Sequence, residues 1–362
     1  MQITKDQHYV PRFYLKNFSQ NRKSIGMLRR EGYRLVENAS IRQVAYRDYL
    51  YGKDGNIENW LSKCEGKWSK VVRFLLGQAE EAAPVDLEEY YALLLHFVAI
   101  SIARTARVAD GTREFMDYLG MMFDEVQASG KELAFDRDEF FEDYDRPNAK
   151  SIEIADETIA VLGDLRPLTI INDTTRGFLS TDNPVVQYNL LYTQRNYTVN
   201  YGLSSGGLII FLPLNEKISF CLYDAEVYST KSLDDATVTI SSINQINELN
   251  KLFTMNGYDC LFFGKMCEPD YIRSISKFMR APQSFVREYP ILGSKNTILR
   301  FGDDSIHKSF QIPIFKIREP YKDIALPDNL GGLQRKSATQ FMNEYKALYG
   351  LDELRPFRVV KK

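Results

Sequence analysis

The sequence predicts an α+β fold, on three observations. Helical periodicity is concentrated in one block, from about residue 56 to about residue 162. Short β-rich runs separated by turn residues follow, between 167 and 222. Helices and strands therefore come in blocks rather than in strict alternation, which separates α+β from a doubly wound sheet. The expected organisation is an N-terminal β-hairpin, a central helical block at about 56–162, and then a mixed, mostly antiparallel sheet with flanking helices. One α+β domain would span 1–330, with a C-terminal helix and tail over 331–362.

Each element has its own signal. Residues 24–30 and 33–37 flank Glu31-Gly32, a hairpin pattern. Asn56 caps a helix to about residue 76, in which Ile57, Trp60, Leu61, Cys64, Trp68, Val71 and Leu75 keep helical spacing. Pro84 and Asp86 open a second helix, apolar on nearly every side over 90–103 and so expected inside the protein. It continues to about residue 127, with a break expected at Gly111, and a further helix occupies 151–162. Strands are expected at 167–171, 177–179, 185–188, 207–212 and 218–222. A helix over 240–256 stops at Asn256-Gly257. A strand at 260–263, a helix at 269–280, strands at 296–301 and 310–317, and a last amphipathic helix at 335–349 complete the reading.

Composition narrows the function classes. The chain has 362 residues, 44% hydrophobic and 26% charged, with a formal net charge of −2. That charge gives no global attraction to nucleic acid or membrane. Its distribution is uneven: residues 1–50 carry ten Lys/Arg against four Asp/Glu, and 124–145 is acidic. The basic part either forms a solvated face or meets a phosphate-bearing partner. Cys64, Cys221, Cys260 and Cys267 form no CxxC pair, which fits reduced core thiols and a cytoplasmic setting. The 90–103 run is too short for a bilayer, which needs about 20 residues, so no membrane partner is expected. Walker, HExxH and EF-hand patterns are absent from the sequence.

Five places concentrate chemistry. The first is Gln7-His8-Tyr9-Val10-Pro11-Arg12-Phe13-Tyr14-Leu15-Lys16-Asn17-Phe18, with four aromatics and two cations around a histidine. His8 is either a general acid or base or a hydrogen-bonded structural group. Second, Glu58 and Glu65 lie seven residues apart on one helix and point the same way. Such carboxylates could hold a divalent metal, share proton transfer, or stay solvated. Third, Arg104 directly follows the apolar run, and a buried guanidinium needs a carboxylate or phosphate. Fourth, Ser180-Thr181-Asp182-Asn183-Pro184 displays Asp182 at a strand end, as a ligand, a histidine orienter, or part of a turn. Fifth, Asn244, Asn247 and Asn250 recur on one helix, where asparagine is a poor former unless its side chain bonds something.

Read together, these segments resemble the domain-of-unknown-function family numbered 4238. The resemblance is carried by the His8-Tyr9-Val10-Pro11 start, Glu58 and Glu65, Arg104-Thr105, Thr181-Asp182-Asn183-Pro184-Val185, and Asn247. It covers about residues 5–265. Where the family has proline after Arg-Thr and a glutamine three residues before the arginine, this chain has Ala106 and Ser101.

Two functions are expected. In the first, His8, Glu58, Glu65, Arg104 and Asp182 form the catalytic set of a nuclease-like phosphodiester hydrolase, possible effector of a bacterial defence or toxin system. Arg12, Tyr14, Lys16, Asn183 and Asn247 would bind the substrate, with Mg²⁺ or Mn²⁺ an open option. Nucleic acid would lie along the basic N-terminal part. In the second, the same residues form a buried network in a non-catalytic sensing module, and the surface binds a protein partner.

Overall fold

The computed structural model describes residues 5–77, 87–130, 141, 144, 146–157, 159–231, 236–290, 297–327, 332–338 and 340. The chain opens with β1 (Asp6–His8) and the short helix α1 (Arg12–Leu15), which follows Pro11. A hairpin of β2 (Ser24–Arg29) and β3 (Arg34–Ser40) comes next, as expected. Gly32 reverses it at φ 67°, a conformation glycine adopts without steric cost. β4 (Tyr46–Asp48) returns to pair antiparallel with β1.

The helical block consists of α2 (Asn56–Leu75), α3 (Leu87–Ala103), α4 (Ala106–Ala128) and α5 (Pro147–Glu157). α3 buries Leu94, Phe97, Val98, Ala99 and Ile100, as its all-round apolar sequence requires. The break between α3 and α4 falls at Arg104-Thr105 rather than at Gly111. Thr105 leaves helical dihedrals (φ −72°, ψ 156°) and its hydroxyl accepts the Val108 N–H, starting a new helix. The two axes turn by 51° there. Gly111 stays inside α4, because the Phe285 ring occupies the space its Cβ would fill. No single helix among the described residues is long and apolar enough to cross a membrane.

The second half of the chain supplies most of the strands. These are β5 (Arg166–Asn172), β6 (Ser180–Thr181), β7 (Val186–Tyr188), β8 (Ile209–Pro213), β9 (Ile218–Tyr223), β10 (Tyr228–Thr230), β11 (Thr237–Ile240) and β12 (Cys260–Phe263). The helix α6 (Leu190–Gln194) follows β7, and α7 (Ile243–Asn256) joins β11 to β12. Beyond β12 come α8 (Pro269–Ser276), β13 (Val286–Pro290), β14 (Thr297–Phe301), β15 (Phe315–Ile317) and α9 (Glu319–Lys322). One sheet has the order β11-β5-β9-β8-β7, and a second the order β3-β2-β12-β6. Among the described residues of these two sheets β11 and β5 run parallel, and the other pairs are antiparallel. The N-terminal hairpin thus joins the sheet that carries the Ser180–Thr181 strand.

Three expectations are corrected. The strand expected at 177–179 begins only at Ser180, because the Asn250 amide takes the Gly177 carbonyl (2.8 Å) and the Leu179 N–H (3.0 Å). The helix expected from 240 begins at Ile243, because residues 237–240 pair with β5. Of the strand expected at 310–317, only Phe315–Ile317 pairs, with β10. The helix expected at 335–349 lies largely outside the described residues, as does most of the acidic run.

One hydrophobic core extends from Tyr9 through α2, α3 and the five-stranded sheet to Ala338. A smaller one under α8 gathers Leu28, Leu179, Leu261, Phe263, Cys267, Ile272 and Ile275. All four cysteines are free thiols. Gly26 in β2 pairs with Phe263 in β12, and a Cβ there would lie 2.4 Å from that buried ring. The Gly26→Ala variant is expected to lose about 1–3 kcal/mol through overpacking. Urea unfolding measures it, and an unchanged midpoint would refute the close approach.

Candidate functional site

The His8 strip is fixed before its side chains do anything. Gln7 is fully buried; its Oε1 accepts the Tyr51 N–H (2.6 Å) and its Nε2 donates to the Gly52 carbonyl (3.0 Å). The Tyr9 N–H reaches the Ala45 carbonyl at 2.9 Å. Pro11 holds ψ 134° and lets α1 begin at Arg12.

Arg104 closes this corner. Its side chain is 1% exposed, yet three groups receive its guanidinium. Nη2 donates to the His8 carbonyl (2.6 Å), Nε to the Tyr51 hydroxyl (3.2 Å) and Nη1 to Glu65 (2.8 Å). Burial alone would lower its pKa, but Tyr51 and Glu65 more than offset that and leave it raised. Arg104 closes the last turn of α3, its N–H bonding the Ile100 carbonyl (3.0 Å), and the chain breaks just after it at Thr105. Asn148 on α5 holds the break itself, donating to the carbonyls of Ala103 and Thr105, each at 3.0 Å.

Around this clasp lie His8, Glu58 and Arg12. His8 Nε2 and Glu58 Oε2 are both buried atoms without a hydrogen-bond partner. Burial and then Arg12 hold His8 below its ordinary pKa of 6.5, with Glu65 and the backbone of Ile41 and Arg42 opposing. Burial raises Glu58 above its ordinary 4.5; Arg104 opposes and Glu65 adds to the rise. Arg12 is exposed, and its charge acts on both groups. The structure thus brings together His8, Glu58, Glu65, Arg104 and Arg12.

Asp182 has other company. It is fully buried, and its carboxylate accepts the N–H groups of Tyr258 (2.9 Å) and Asp259 (2.8 Å). Burial lifts its pKa to about 6, against the pull of those amides. The strip does meet this turn, but through other residues. The Tyr14 hydroxyl bonds Ser180 Oγ (2.7 Å) and the Pro213 carbonyl (2.6 Å), and Asp182 acts on the Tyr9 hydroxyl. Tyr14 is fully buried with its hydroxyl spent, so it offers a substrate no surface. Lys16 is half-buried at the end of α1.

The two asparagines sit in separate hollows. Asn183 and Asn256 exchange amide-to-carbonyl bonds (3.2 and 2.7 Å) beside a cleft of about 220 Å³ that Arg107 and Arg280 also line. Asn247 lines a groove between α7 and α8. Among the described residues no group of three or more His, Cys, Asp or Glu side chains is arranged to hold a metal.

A family described as "Protein of unknown function (DUF4238)" matches residues 6–265. The chain belongs to the DUF4238 family. No curated protein and no solved structure matches it. The resemblance therefore holds over most of the chain, and the Arg104 clasp and the Asp182 clamp are structural features of this DUF4238 member.

Sequence reasoning missed Tyr51, Asn148 and the Arg47–Asp110–Tyr258 cluster. Arg47 grips Asp110 with both terminal nitrogens (2.5 and 2.7 Å), and the Tyr258 hydroxyl donates to the same carboxylate (2.9 Å). These groups are far apart in sequence and carry no motif; the Tyr- and Arg-rich composition of 42–51 was the only signal.

Two outcomes follow. Arg104→Met strands the His8 carbonyl and Glu65, so a loss of about 3–5 kcal/mol is expected in chemical denaturation. A loss under 1 kcal/mol would refute the clasp. For Asp182, the folded pKa of about 6 lies above the ordinary 3.8, so the folded chain binds the proton more tightly. Its contribution to stability falls as pH rises through that window and is level above it. The unfolding free energy of the wild type relative to Asp182→Asn should therefore fall as pH rises through that window; parallel curves or a rise would refute it.

Proposed function

We propose that this protein is a nuclease-like phosphodiester hydrolase whose acid–base pair is His8 and Glu58. The observation that carries the reading is two unpartnered buried atoms, His8 Nε2 and Glu58 Oε2, on groups that both feel the charge of the exposed Arg12. Ionised Glu58 would take a proton from the attacking water as its oxygen bonds phosphorus. Protonated His8 would give its proton to the oxygen leaving phosphorus, and Arg12 would offset the charge on the phosphoryl oxygens. Arg104 and Glu65 act as positioning residues, since both are committed to the clasp. The basic first 50 residues support a nucleic acid strand as the substrate. The four free thiols support a cytoplasmic setting, and a role as effector of a bacterial defence or toxin system is part of the proposal.

The second reading, a non-catalytic sensing or protein-binding module, draws on the consumption of Tyr14, Arg104 and Asp182 inside the fold. One assay separates the two. Labelled RNA and DNA are incubated with the protein, with and without Mg²⁺ or Mn²⁺, beside His8→Ala. Cleavage reduced about 10²–10⁴-fold in the variant is expected. Because His8 lies below 6.5 and Glu58 above 4.5, the active protonation form is confined to a bell inside that window. No cleavage under any condition favours the module, and equal cleavage by the variant removes His8 from the catalytic role.

A further inference from the structure

The groove between α7 and α8 encloses about 630 Å³, the size of a small-molecule site. Phe278 forms part of its wall, and three ammonium groups surround that ring. Lys308 lies 4.6 Å from the ring centre, Lys251 5.5 Å and Lys277 5.7 Å. They come from three separate places in the chain: α7, the end of α8 and the segment after β14. Glu248 pairs with Lys251 at 2.5 Å. Lys277 and Lys308 have no carboxylate within ion-pair reach among the described residues. Gathering like charges about one neutral ring costs Coulomb energy unless an anion joins them.

The same groove offers recognition groups. Asn247, on its wall, has a buried Oδ1 without a partner, an acceptor for a base amine. Tyr271, another wall residue, carries the Arg176 guanidinium stacked 3.5 Å over its ring, and Arg176 Nη1 is also buried without a partner. Cations interleaved with aromatic faces are the chemistry that holds a nucleobase and its phosphate.

We propose that this groove binds a nucleobase carrying a phosphate. The base would displace the lysine arms from the Phe278 face and present its amine to Asn247. The released ammonium groups of Lys277 and Lys308 would take the phosphate. The ligand's source is either a free nucleotide or a nucleotide within a single strand. The site shares no residue with His8, Glu58 and Arg12, so it stands whether or not the chain cleaves phosphodiesters.

Binding of ATP and of a short single-stranded RNA is measured by calorimetry and fluorescence anisotropy, in the wild type and in His8→Ala, with inorganic phosphate as control. Saturable binding is expected, equal in His8→Ala, and weakened at least tenfold by Lys277→Glu with Lys308→Glu. Both lysines are exposed, and a thermal melt checks that the variant folds. Phe278→Ala should lose binding to the same degree. Raising salt from about 0.05 M to about 0.5 M should weaken the wild type more than the lysine variant. Binding of ATP alone identifies a free nucleotide, and binding of the RNA identifies a strand; each supports the site. No saturable binding of either, affinity unchanged in the lysine variant, or phosphate bound as tightly as the nucleotide would overturn it.

Discussion

A single buried guanidinium organises the N-terminal half of this protein. Arg104 cannot leave water without partners, and its partners come from three otherwise separate pieces: the carbonyl of β1, the hydroxyl after β4 and a carboxylate on α2. The strip, the long helix and the α3–α4 corner are therefore tied at one point. The chain turns just after Arg104, at Thr105, where α4 begins. Arg104 reads the backbone of His8 and leaves the imidazole alone, so the clasp and the proposed chemistry are separable at that residue.

The other half is fastened by short polar side chains that replace backbone pairing. Asp182 receives two N–H groups of the turn before β12, Asn250 holds both sides of Gly177–Leu179, and Asn256 caps the carbonyls of Asn183 and Val185. Each satisfies buried backbone groups that no strand reaches, which the interior demands. This is why polar residues that look catalytic in sequence divide into two populations. Asp182 and Tyr14 are spent on the fold, while His8 and Glu58 keep an unpartnered atom.

Much of this was legible in the sequence. The hairpin, the first long helix, the apolar α3 and the helix after 240 carry strong periodicity, and each forms near its expected bounds. The shared face of Glu58 and Glu65 was legible too, because the helix repeat fixes it. Gly111 misled, since a glycine that admits a ring from another element looks like one that ends a helix. β11 was hidden because its partner lies far back in the chain and its four residues merge into the following helix. Tyr51 and Asn148 had no local signal at all: their roles exist only once Arg104 is buried.

The parallel pairing of β11 with β5 has a consequence for how the protein is made. β5, β9 and β8 can assemble antiparallel as soon as they emerge. β11 must wait until the excursion through β10 is complete, and contacts between remote segments form slowly. Until then the outer edge of β5 is an open row of N–H and C=O groups, a template for other chains. Synthesis therefore passes through a vulnerable interval, which ends when β11 docks and α7, leaving it directly, swings Asn250 and Asn256 onto the loops they fasten.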